Sequence, residues 1–98
     1  MNDMKYEVKI SETARNDIFR ISEFLKDKFS GLVAVTYASK LDDTFLLLKK
    51  NPLIGRIHKG KIRRYIFNKK TVVFYCVESN TVNVVRVFDS RKNWSLFF

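Results

Sequence analysis

The sequence predicts an α+β domain: an N-terminal strand and a helical hairpin packed on one face of a curled antiparallel sheet, in the order β-α-α-β-β-β. Three observations lead there. Apolar residues alternate at the N-terminus, then recur at helical spacing, then return to strand-like runs after Pro52. The link between the two helical stretches, residues 29–32, is short enough to force an antiparallel hairpin. The last two apolar runs are joined by the two-residue turn Ser79-Asn80, so they pair as a hairpin of strands. A helical hairpin must cover its apolar stripe, and the sheet is the only large apolar surface available. The chain of 98 residues is expected to form a single domain over 1–98.

Each element has its own signal. In residues 4–10, Tyr6, Val8 and Ile10 share one face of a short strand. Ser11 is a good N-cap, with Glu12 in the first turn of a helix that runs to about Lys28. Its stripe is Ala14, Ile18, Ile21 and Leu25, flanked by Phe19, Phe24 and Phe29, with Asp17, Arg20, Glu23, Lys26 and Asp27 on the outer side. Ser30-Gly31 breaks it. A second helix, from about Leu32 to Lys50, repeats Ala34, Ala38, Leu41, Phe45 and Leu48 with Tyr37 beside them. Asn51-Pro52 ends it. Residues 53–60 read as a loop or irregular arm punctuated by Gly55 and Gly60. Residues 61–67 are strand-like with conflicting faces, because Ile62 and Ile66 share one with Arg64, and Tyr65 and Phe67 share the other with Arg63 and Lys61. Asn68-Lys69 is a turn. Residues 70–78 and 81–89 are the hairpin partners, with Asn80 able to take a positive φ in their turn.

Charge is concentrated in one place. Residues 49–70 hold nine Lys or Arg and no acid, and the rest of the chain has ten cations against ten acids. The whole net charge of +9 therefore sits in 22 residues, a surface suited to phosphates, to a partner's carboxylates, or to solvent. Cys76 is the one cysteine and lies in an apolar run, which fits a buried, inert thiol and a reducing cytosol. The sequence shows no signal peptide and no apolar run long enough to span a membrane.

Most motifs of known catalytic mechanism are absent: there is no glycine-rich phosphate loop, HExxH, paired cysteines or GxSxG. His58 is the single histidine, in a basic loop where a surface role is the ordinary expectation. The adjacent Asp42-Asp43 lacks the second acidic cluster a metal site needs, and no metal or cofactor is expected. Arg86 stands among Val84, Val85, Val87 and Phe88, where a cation must pair with a carboxylate, with Glu7 or Asp89 as candidates, or project from the open sheet face. With Arg63 or Arg64, Arg91 and Lys92 it can form a cluster that binds phosphates or stabilises a phosphorane-like transition state. Tyr65, Tyr75 and Trp94 can supply stacking surfaces, although core packing is the simpler role for Tyr75.

Four stretches together resemble a known family: YEVKISETARNDI, NPLIGR, IRRYIF and, above all, VVFYCVESNTVNVVRVFDSRKNW. They are similar to the RelE/ParE superfamily of type II toxin–antitoxin toxins over nearly the whole chain. The resemblance implies a small cytoplasmic toxin, held inactive by a cognate antitoxin whose acidic C-terminal segment wraps it. Two activities are known in the superfamily. RelE-like members cleave mRNA on the ribosome with Lys and Arg on the sheet and often a C-terminal Tyr. ParE-like members poison DNA gyrase. Arg63 falls where the family usually has a basic residue on the second strand, and Arg91 falls near a cation used by the nucleases. Val72 stands where those enzymes commonly carry Arg, and Trp94 stands near their Tyr and has no hydroxyl. The R-V-F and F-Y-x-V strands resemble the ParE-like branch, which is the favoured reading. The resemblance makes Arg56, Lys61, Arg63, Arg64, Arg86, Arg91 and Trp94 the expected contacts for antitoxin or target. Arg63, Arg64, Arg86 and Arg91 become catalytic residues only if the chain is an endoribonuclease. A member kept only as the antitoxin's partner is the third alternative. The apolar tail of Trp94, Leu96, Phe97 and Phe98 is expected to be covered when antitoxin binds.

Overall fold

The computed structural model describes residues 5–89. Seven elements follow in order: β1 (Glu7–Ile10), α1 (Glu12–Lys28), α2 (Gly31–Lys50), β2 (Arg56–Lys59), β3 (Ile62–Phe67), β4 (Thr71–Glu78) and β5 (Thr81–Asp89). The α+β architecture with helices on one face of an unclosed sheet is as expected. Two details go beyond it. The arm after Pro52 contains a further strand, β2, and the sheet order is β1-β5-β4-β3-β2. The chain also returns so that β1 pairs with β5 in parallel, whereas the other pairings are antiparallel.

The helix ends are set by serines. Ser11 Oγ accepts from the Ala14 amide at 3.0 Å and donates to the Val85 carbonyl at 2.9 Å. One side chain thus caps α1 and ties its start to β5. The helical path breaks there as expected: Ser30 is extended and caps α2, accepting from the Val33 amide at 3.1 Å, and Gly31 is the first helical residue. Lys26 and Lys28 close α1, and Lys49 and Lys50 close α2, at the negative ends of the dipoles.

The main core lies between helices and sheet. Ala14, Leu41, Phe45 and Leu48 meet Phe67, Val73, Tyr75, Val82, Val84 and Val87. A smaller cluster of Val72, Phe74 and Phe88, with Ile62, occupies the opposite face. The helical stripes are narrower than their patterns suggest: Ala38 is exposed, and Phe19, Phe24 and Phe29 lie largely in solvent. Asp17 is the reverse case. It is only 6% exposed, where helical spacing placed it on the outer side.

Strand β5 contains a bulge. Phe74 pairs with Arg86 but Tyr75 pairs with Val84, leaving Val85 as the extra residue. Val84 and Val87 can therefore both enter the helix-side core although they are three positions apart. In the β4–β5 turn the left-handed residue is Ser79, with φ 53°, rather than Asn80. In the β3–β4 turn Asn68 and Lys69 both have positive φ, at 58° and 62°, the primed-turn backbone that matches strand twist.

Two phenols, half-buried Tyr37 and buried Tyr75, couple the fold to alkaline pH. Tyr37 donates to or accepts from Thr71 Oγ1 at 3.1 Å, and burial raises its pKa above the ordinary 10.0; burial likewise raises that of Tyr75. The folded state thus holds these protons more tightly than the unfolded chain. The stability tied to them is intact below pH about 10 and is lost as pH rises through the folded values. Urea titrations from neutral to strongly alkaline pH should show this decline, and Tyr37→Phe should make it shallower. An alkaline decline unchanged in Tyr37→Phe would assign it to other groups.

Candidate functional site

The register builds a row across the sheet. Arg56 on β2 pairs with Arg64 on β3, Arg64 with Phe74 on β4, and Phe74 with Arg86 on β5. Cross-strand partners share a face. Phe74 belongs to the small cluster away from the helices, so the row lies on the open face. Adjacent strands are about 4.8 Å apart, which spaces Arg56 and Arg86 by roughly 14 Å along the row. Arg64 therefore faces the open side, and Arg63 faces the helix side.

The two neighbouring arginines have different jobs. Arg63 donates to the Gly55 carbonyl at 2.7 Å and to the Leu53 carbonyl at 3.3 Å. Tyr75 reaches the same arm from the core. Its hydroxyl donates to the Pro52 carbonyl at 2.7 Å and accepts from the Gly55 amide at 2.8 Å. Residues 52–55 are thereby clamped from two sides, which positions β2 and Arg56 behind them. Arg64 instead places Nη1 3.2 Å from His58 Nδ1. A guanidinium can only donate, so Nδ1 accepts and the ring proton resides on Nε2. The His58 ring also stands edge-on to Phe74, 5.0 Å between centroids. His58 is half-buried, not a surface histidine, and it occupies the irregular position where the β2–β3 register shifts between Ile57 and Lys59.

Arg86 finds its carboxylate on α1. Its Nε and Nη2 donate to Asp17 at 2.8 and 3.0 Å, so the partner is neither Glu7 nor Asp89. Asp17 also accepts from the Val87 amide at 3.0 Å. Strand β1 stops at Ile10, opposite Val84, and beyond that point β5 would show bare amides. The Asp17 carboxylate takes the place of the missing strand. Its hydrogen bonds hold the Arg86 guanidinium charged even more firmly than usual. The Arg86 guanidinium carbon lies 4.3 Å from the Phe88 ring centroid, in cation–π range.

A groove of about 460 Å³ opens beside this latch, between α1 and the ends of β3 to β5. Its walls are mainly apolar, with Ile21, Phe24, Tyr37 and Phe88, and Arg20, Lys70 and Arg86 line it as cations. Lys61 is exposed in the β2–β3 turn, away from the row. Arg91 and Trp94 lie outside the described residues, as does the apolar tail. Cys76 is half-buried; burial and then Glu78 raise its pKa, which disfavours the thiolate. Among the described residues, no group of His, Cys, Asp and Glu could hold a metal ion, and no helix is long and apolar enough to cross a membrane.

A family model for the ParE toxin of type II toxin–antitoxin systems matches residues 8–94. The chain belongs to the ParE toxin family. By family it is therefore a type II toxin. A search of curated protein sequences finds no match. Among solved structures, the chromosomal ParDE system of P. aeruginosa superposes with a TM-score of 0.78 at 13% identity, covering 89% of this chain and 98% of that one. A RelBE toxin–antitoxin complex from Mycobacterium tuberculosis gives 0.62 at 20% identity, covering 87% and 98%. A conserved hypothetical protein from Helicobacter pylori gives 0.53 at 15% identity, covering 86% and 93%. At these identities the likeness speaks to the fold. On that ParE fold the Asp17 latch and the His58–Arg64 contact are features that sequence reading missed. Both join residues whose spacing in sequence gives no hint of contact. The one available signal was the isolated cation Arg86 in an apolar strand, which demanded a carboxylate somewhere.

Proposed function

We propose that this ParE-family toxin inhibits growth by binding DNA gyrase, and that a cognate antitoxin neutralises it with an acidic C-terminal segment. The observation that carries this reading is the open-face row of Arg56, Arg64, Phe74 and Arg86. Arg56 is exposed and Arg64 half-buried beside it, two cations that can meet a partner's carboxylates, while Phe74 beneath them is buried and Arg86 at the end of the row already holds Asp17. The groove beside Arg86 extends that surface with apolar walls. Two features favour binding over RNA cleavage. Val72 is 1% exposed and packs with Phe74 and Phe88, so a buried apolar side chain stands where a nuclease would place a further cation. The hydroxyl of Tyr75 is committed to the arm on the helix side.

The test uses purified toxin in two assays. Gyrase supercoiling should be lost in the presence of the wild-type chain, and Arg56→Ala with Arg64→Ala should weaken both that inhibition and antitoxin binding by roughly tenfold or more. Cleavage of transcripts on translating ribosomes would overturn the gyrase reading and assign the His58–Arg64 pair to a ribonuclease. Absence of both activities would leave a partner of the antitoxin alone. A small adjacent reading frame with an acidic C-terminal half is the expected source of that antitoxin.

A further inference from the structure

The helical hairpin has an outer face that neither the core nor the arginine row uses. On α1 and its C-cap, Arg15, Phe19, Ser22, Lys26 and Phe29 recur every four and three residues. On α2, Leu32, Val35, Ser39, Asp42 and Leu46 recur every three and four. That is the spacing of a helix–helix seam, but here the seam faces solvent. Phe19 is 65% exposed, Phe29 62%, Leu32 75%, Val35 66% and Leu46 54%. Between the helices runs a shallow groove of about 380 Å³, walled by Arg15, Phe19 and Ser22 from α1 and by Ala38 and Asp42 from α2. Val35 and Leu46 stand three and four residues from Ala38 and Asp42, on the same side of α2.

We propose that a second copy of this chain docks on this face, hairpin against hairpin about a two-fold axis, to form a four-helix layer. Three arguments select a second copy over another partner. The first is local charge. The groove carries one cation, Arg15, and one anion, Asp42, and among the described residues neither has an ion pair. An isologous contact brings each Arg15 to the other copy's Asp42. The second is global charge. Residues 12–48 contain five Lys or Arg and six Asp or Glu, while residues 49–70 carry the net +9. Two copies can approach through their hairpins without opposing their cation clusters, and an acidic partner is drawn to the other surface. The third is area. The five exposed apolar side chains present on the order of 500 Å². A standard interface buries about 800 Å² per partner, a little over half of it apolar.

The test is sedimentation equilibrium of the full chain, without antitoxin, across a concentration series. The expected result is a concentration-dependent rise from 11.6 kDa to twice that mass. Phe19→Glu should weaken association by roughly a hundredfold, because it sets two carboxylates in an apolar seam. Arg15→Asp should weaken it too, and Arg15→Asp with Asp42→Arg should recover it. Circular dichroism confirms that these exposed substitutions leave the helices formed. A constant mass of 11.6 kDa at every concentration overturns the proposal, as does a dimer that Phe19→Glu leaves intact. Neither result bears on the gyrase and antitoxin binding proposed for the arginine row, which lies on the other face of the sheet.

Discussion

Asp17→Ala destabilises the domain by about 3 kcal/mol, the cost of removing one partner from a buried hydrogen-bonded ion pair. The Asp17 side chain is 5% exposed and that of Arg86 24%, so solvent repays part of the loss on the arginine side only. The Val87 amide has no such relief, since Val87 is 1% exposed and Asp17 is its acceptor. For a domain of this size the loss corresponds to a fall in melting temperature of roughly 15 °C. Asp17→Asn retains an oxygen that can accept from the Val87 amide and should cost less. Asp27→Ala, on the exposed side of α1, is the control and should cost almost nothing. Urea denaturation of the three variants decides it. A loss under about 1 kcal/mol for Asp17→Ala would reduce the latch to the rank of a surface pair.

Gly55→Ala has the second large effect, of about 2–3 kcal/mol. An added Cβ would stand 2.6 Å from the Tyr75 hydroxyl oxygen, 2.7 Å from its Cε1 and 2.9 Å from the Arg64 carbonyl oxygen. Neither neighbour can move aside. Tyr75 is fully buried, and the Arg64 carbonyl belongs to β3. The arm itself must lift, which breaks the hydrogen bond from the Gly55 amide to the Tyr75 hydroxyl and strains the one from Arg63 to the Gly55 carbonyl. Arg56 is the next residue, so the same change pulls one cation out of the open-face row. Partner affinity should therefore fall along with stability. Tyr75→Phe removes the closest clashing atom, and the double variant should be less damaged than the sum of the two single changes. Strict additivity in that cycle would show that the two residues do not meet.

How much of this was legible depends on how local the cause is. Ser11 and Ser30 cap helices through bonds to residues three positions on, and both helices fall within a residue of their expected bounds. Strand β2 escaped notice because its four residues sit between Pro52 and Gly60 and are interrupted at His58. It is a strand by virtue of pairing with β3, not by its own alternation. The conflicting faces of residues 61–67 dissolve once Arg63 is seen to hold carbonyls of the arm while Arg64 sits with His58. Asp17 could not be placed from helical spacing, because the groups that bury it lie 69 and 70 residues away. The valine run in β5 hid its bulge, since Val84, Val85 and Val87 are interchangeable in pattern but not in position. The basic stretch 49–70 was plain from composition, but how it divides into clamp, row and turn is set by register alone.

The position of β5 in the sheet dictates when this protein can come into being. Among the described strands the second from the edge is the last one made, and it alone joins the N-terminal strand to the remainder of the sheet. Ser11 waits for Val85, 74 residues later, and Asp17 waits for Val87, 70 residues later. A nascent chain can coil its helices early, but β1 and the Asp17 latch have no strand to join until β5 has emerged. The sheet therefore closes only once β5 is made, so that no product that stops short of β5 presents the assembled arginine row.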